Sequence, residues 1–237
     1  MMMNTKALAP VLALVAALAT AAPAMAASEI IFYGYAKYTP VVDAVGSTMD
    51  VYALAAPGSV APPLAFDWTN YEYTVHVSGM TVATYVADSV PVGPYLLDRK
   101  ASTFSGGIVR IYQEAKVGGT HADFAAPGTF VDGTLILAAS VDDGFAALLT
   151  DGPLLHDGIF VGSGSGTCDF NAGSRLGELV AAEYYLNDWF CGGVPISDPN
   201  PTVPTGFHRT FNVKIVSPND PTGLEAGTWS SVKGLYR

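Results

Sequence analysis

Tyr71, Tyr73, Val75 and Val77 alternate with Glu72, Thr74, His76 and Ser78. A segment patterned this way can bury one side only as an extended strand, whose successive side chains point to opposite faces. The same period recurs. Ile108, Arg110 and Tyr112 alternate with Val109 and Ile111 over residues 107–113, and Phe207, Arg209, Phe211, Val213 and Ile215 alternate with His208, Thr210, Asn212 and Lys214. Phe32 to Tyr38 forms a first, aromatic strand, and Met80 to Ala87 resumes extended character after Gly79, so that it can pair with residues 71–78 as a hairpin. On their polar faces His76 and His208 are expected to be solvated.

Turn chemistry separates these runs. Asp132-Gly133, Asp143-Gly144 and Asp157-Gly158 are pairs that tolerate the positive φ of a tight turn, and the first lies between Thr129-Phe130-Val131 and Thr134-Leu135-Ile136-Leu137, as in a hairpin. Proline-rich stretches at 56–63 and 197–204 read as loops, because proline cannot donate to a sheet ladder. Leu176, Leu179, Val180 and Tyr184 follow helical spacing within Ser174–Phe190, with Ser174 at the N-cap, and predict one short helix. Strands joined by short turns, without alternating helices, imply an all-β fold. The expected form is an antiparallel β-sandwich, with a β-barrel as the alternative.

The N-terminus predicts export. One positive charge in Met1–Lys6 precedes an apolar run over Ala7–Ala22, and Pro23 is followed by Ala24-Met25-Ala26, small residues where a signal peptidase reads. Residues 1–26 are the expected signal peptide, cut after Ala26, and 27–237 a single β domain. The run is shorter than the ~20 residues of a spanning helix, no cysteine follows the cut to carry lipid, and no later run is long enough to span. The mature chain is therefore expected in the periplasm or outside the cell, with no membrane insertion after cleavage. Cys168 and Cys191, two cysteines in an oxidising compartment, read as one disulfide closing a loop of 22 intervening residues.

Without Lys6 the chain holds 10 basic and 21 acidic residues, a net charge of −11. That excludes nucleic acid and anionic lipid as expected partners, since both are bound by basic surfaces. Catalytic patterns fail in turn. The run Gly162-Ser163-Gly164-Ser165-Gly166-Thr167 lacks the central serine of a nucleophile elbow and the last glycine of a dinucleotide loop, so it reads as a flexible turn or strand edge. His76, His121, His156 and His208 form no zinc-type pair. No cofactor is expected except calcium, for which Asp142, Asp143, Asp151 and Asp157 are the candidate ligands. Trp68, Tyr71 and Trp189 are the candidates for stacking on sugar rings.

Several phrases occur together: Phe66-Asp67 leading to Tyr71-Glu72-Tyr73-Thr74, Gly106-Gly107-Ile108 to Tyr112, Phe130-Val131-Asp132-Gly133-Thr134-Leu135, Ala172-Gly173-Ser174-Arg175-Leu176 with Trp189-Phe190, and Pro204-Thr205-Gly206-Phe207. In these the chain resembles uncharacterised exported bacterial proteins, many of which carry PEP-CTERM sorting tails. The resemblance implies handling at the cell envelope or in an extracellular matrix. It transfers no functional residues, and the chain departs from it in having no Pro-Glu-Pro and no terminal apolar helix.

The expected function is a non-enzymatic secreted or envelope β protein with a structural, adhesive or matrix role. Its partners would be further copies of itself, for which Glu29–Tyr38 could donate a strand, or polysaccharide. A carbohydrate- or calcium-binding module is the second reading and a secreted hydrolase the third.

Overall fold

In the computed structural model the described residues are 29–57, 64–151, 160–181, 189–198 and 203–217, all within one unit, Ser28–Asn219. The expected signal peptide 1–26, Asp157-Gly158, and the proline-rich residues 58–63 and 199–202 lie outside them. Among the described residues no helix is long and apolar enough to cross a membrane.

Among the described residues ten strands carry the fold: β1 (Glu29–Thr39), β2 (Thr48–Ala55), β3 (Tyr71–Val92), β4 (Tyr95–Ser105), β5 (Ile108–Ala115), β6 (Thr134–Val141), β7 (Phe145–Asp151), β8 (Phe160–Ala172), β9 (Trp189–Asp198) and β10 (Arg209–Val216). Every ladder is antiparallel. They make one sheet in the order β2-β1-β10-β9-β8-β6-β5-β3-β4-β7, closed on itself by β2–β3 and again by β7–β8. The all-β antiparallel fold is as expected. Closing its ladders leaves few open edges.

The alternation predicts the inner face correctly. Tyr73, Val75 and Val77 of β3, Val109 and Ile111 of β5, and Phe211, Val213 and Ile215 of β10 are buried together with Ile30, Phe32, Met49 and Val51. Burying each such side chain contributes about 1.5–3 kcal/mol. Arg209 continues the inward row of β10. It is taken out of water only because Asp43 accepts from its Nη2 and its Nη1 donates to the Tyr38 hydroxyl at 3.0 Å.

Residues 71–78 and 80–87 do not form a hairpin. They are one 22-residue strand, bulged where Met49 and Val51 face Met80 and Val77. Gly79, at φ 74°, takes a conformation costly for other residues. Before this corner β3 pairs with β5, and after it with β4. The hairpin is instead β3–β4, turning at Gly93-Pro94.

Asp132-Gly133 likewise makes no hairpin. Pro127–Phe130 is a turn of 3-10 helix, not a strand, and Gly133 is required because an added Cβ would lie 2.8 Å from the Gln113 carbonyl oxygen.

The glycine run is neither a turn nor an edge. It is the middle of β8, paired with β7 on one side and β9 on the other. Gly162, Gly164 and Gly166 share one face. A Cβ at Gly164 or Gly166 would come within 2.8 Å of the Phe145 ring, and one at Gly162 would fall on the Leu148 carbonyl oxygen. Absent side chains let β7 lie against β8.

The short helix is present as α1 (Leu176–Ala181), which buries Leu179. Ser174 does not cap it. Its hydroxyl donates to the Leu135 carbonyl instead.

Glu29–Tyr38 is not a free segment. As β1 it is paired with β10 on one side and β2 on the other, which removes the basis for strand donation.

Candidate functional site

The outward faces of β1, β2 and β3 are in part covered. Residues 116–131 cross them, and Phe124 and Phe130 pack against Tyr35, Tyr52 and Phe207 with ring centroids 4.7–5.9 Å apart. Phe130 is fully buried there, making a second small core outside the closed sheet. His76 is therefore half-covered, stacked on Tyr52 at 4.4 Å. Its Nε2 is buried without a partner, and desolvation holds its pKa below the usual histidine value. His208 is also engaged, its Nδ1 accepting from the Tyr38 N–H at 3.0 Å. Neither histidine is solvated as expected, because a polar position on a strand says nothing about what later crosses it.

Polar residues clamp this crossing segment. Thr74 donates its hydroxyl to the Phe130 carbonyl at 2.8 Å. Buried Glu72 accepts the His121 and Ala122 backbone N–H groups at 2.9 and 2.8 Å. A carboxylate can be buried when its oxygens are satisfied in this way.

Beside Glu72 lies a cluster of ionisable groups that sequence reasoning did not assemble. Glu114 is the penultimate residue of β5, Asp132 precedes β6, and His121 comes from the crossing segment; their ligand atoms lie within 4.8 Å of one another. His121 Nε2 is 3.1 Å from Asp132 Oδ2 and 3.9 Å from Glu114 Oε1. The hydrogen bond to Asp132, with the Glu114 charge, raises the His121 pKa. Its partner is depressed, since the bond to His121 favours the Asp132 carboxylate. Glu114 goes up, through desolvation first and then through its hydrogen bond to Asp132. Both carboxylates face the His121 imidazole. Among the described residues, these three are placed to hold a cation.

The described calcium candidates, Asp142, Asp143 and Asp151, do not converge. Asp142 accepts the Thr167 hydroxyl, and Asp143 accepts the Gly106 N–H at 3.0 Å, both before β7. Asp151 is buried at the other end of β7, about 20 Å away at a strand's rise per residue. Of the stacking candidates, Trp189 is fully buried, edge-on to Phe170 at 5.0 Å, so no sugar can reach it. Trp68 and Tyr71 are half-buried against the core, with Trp68 packed on Phe66 and Tyr73. These aromatics serve packing.

Cys168 and Cys191, on adjacent strands β8 and β9, are both buried and approach to 2.5 Å without being joined. Contact with Cys191 and burial push the Cys168 thiol pKa well up.

Two signals in the sequence bear on the cluster: Glu72 on a predicted polar face, and Glu114 one residue past a predicted strand. Only the register of β3 against β5 brings them together. No family model, no curated protein and no solved structure matches this chain.

Proposed function

We propose that this chain is a non-enzymatic exported β protein with a structural or adhesive role, assembling with further copies through its β3–β4 hairpin. The observation that carries the reading is the apolar surface of that hairpin. Val86, Tyr95 and Leu96 are 50%, 47% and 56% exposed, and Leu96 faces away from the other two. Exposed apolar side chains on both sides of one ribbon suit burial against another protein surface.

Charge favours a second copy as the partner. The chain as a whole carries −10, which makes copies repel, but residues 82–105 hold Asp88 and Asp98 against Arg99 and Lys100 and are locally neutral. Asp88 and Arg99 already pair across the hairpin. A two-fold contact between such patches is self-complementary.

The interior supports a scaffold role. The closed sheet is filled by apolar side chains, around a cavity of about 10 Å³ lined by Val77, Met80, Phe145, Phe211 and their neighbours. Export rests on the pattern of residues 1–26, and in an oxidising compartment Cys168 and Cys191 form a disulfide. Light scattering on mature protein tests the assembly, with Tyr95→Ser/Leu96→Ser as the variant that should lose it.

A further inference from the structure

We propose that Glu114, His121 and Asp132 bind a divalent transition-metal ion of the zinc class, with a coordination position open to solvent. This goes beyond the assembly reading and does not depend on it.

The donor set points to that class. One imidazole nitrogen with two carboxylates suits zinc and its neighbours, whereas calcium and magnesium are held by oxygen alone. The spacing is close to what an ion needs. Ligand atoms about 2.0–2.2 Å from a tetrahedral zinc lie roughly 3.3 Å apart, against 3.1 Å for His121–Asp132 and 3.9 Å for His121–Glu114. Small side-chain rotations close the remaining gap.

The framework is already built. Glu114 is the penultimate residue of β5 and Asp132 lies two residues before β6, the strand paired with it, and buried Glu72 fixes the His121 backbone through its N–H. A site so supported loses little entropy on binding.

The cluster also carries an excess of negative charge. Glu72 stands directly opposite Glu114, an arrangement of like charges that weakens a sheet, and Asp132 adds a third carboxylate. Nearby Lys116 donates to the Trp68 carbonyl at 2.7 Å rather than to these groups. A divalent ion would offset this charge. His121 and Asp132 are about half exposed, so water or a partner's side chain can complete the coordination.

The test is calorimetric titration of untagged, chelator-treated mature protein with zinc chloride, and separately with calcium chloride, on wild type, His121→Ala and Asp132→Asn. Both substituted side chains are exposed enough for the fold to survive, and circular dichroism of each variant checks this. Expected is one saturable zinc equivalent in wild type, weakened at least tenfold in both variants, with calcium binding far weaker. Absence of saturable zinc binding would overturn the proposal. So would zinc binding unchanged in the two folded variants, or calcium binding as tight as zinc.

Discussion

Glu72 and Glu114 face each other across the β3–β5 ladder on its outward side, yet their carboxylates have separate tasks. Glu72 turns its oxygens to the His121 and Ala122 N–H groups, and Glu114 turns to His121 and Asp132. One pair of strand positions thus anchors the crossing segment and forms the cation cluster.

Glu72→Ala removes the acceptor for two partly buried N–H groups. The expected loss is about 3–6 kcal/mol, two bonds to a charged group at ~1.5–3 kcal/mol each, or roughly 6–24 °C in Tm for a chain of this size. Glu72→Gln keeps an acceptor and relieves the repulsion with Glu114, so its loss is smaller. Thermal unfolding of the three proteins, with hydrogen exchange at residues 121 and 122, measures both effects.

Gly162→Ala places a Cβ on the Leu148 backbone carbonyl, which no rotamer change relieves. β7 and β8 must separate, costing about 1–3 kcal/mol or more, as overpacking does. Urea denaturation reads this directly. Gly177→Ala, where an added Cβ meets nothing, is the control and should not destabilise.

His76 gives a pH dependence of definite sign. Its pKa in the folded protein lies below 6.5, its unfolded value, because burial disfavours the imidazolium. Below pH 6.5 the unfolded chain therefore binds more protons, and stability falls as pH drops from there toward the folded pKa. His76→Gln removes this contribution. Stability of wild type and variant as a function of pH, by denaturant titration, tests it.

The disulfide makes its own prediction. Alkylation and mass measurement of mature protein from an oxidising compartment should find neither Cys168 nor Cys191 free before reduction. Reduction should cost about 3 kcal/mol on the chain-entropy model for a loop of this length.

What could be read from the chain follows from which physics is local. β3, β5 and β10 were legible because burial on one face writes a period of two into Tyr73, Val75, Val109, Ile111, Phe211 and Val213. The corner at Gly79 was not, because its cause is a change of neighbour from β5 to β4. β8 was hidden by its glycines, whose composition says turn. Their reason is the approach of Phe145 and Leu148, residues of another strand. The site was legible only in pieces. Glu72 was visible as a polar strand position, but Glu114, His121 and Asp132 meet through strand register and a segment that crosses three strands. Aromatics suggested ligand stacking where Trp189 is core, since sequence cannot distinguish a buried ring from an exposed one.

The most direct test of the assembly reading is the mass of mature protein recovered from producing cells, by light scattering over a range of concentrations with negative-stain microscopy. The account predicts dimers or larger ordered assemblies in wild type and monomers for Tyr95→Ser/Leu96→Ser. A wild-type protein that stays monomeric at every concentration, or assemblies unchanged by the double substitution, would contradict it.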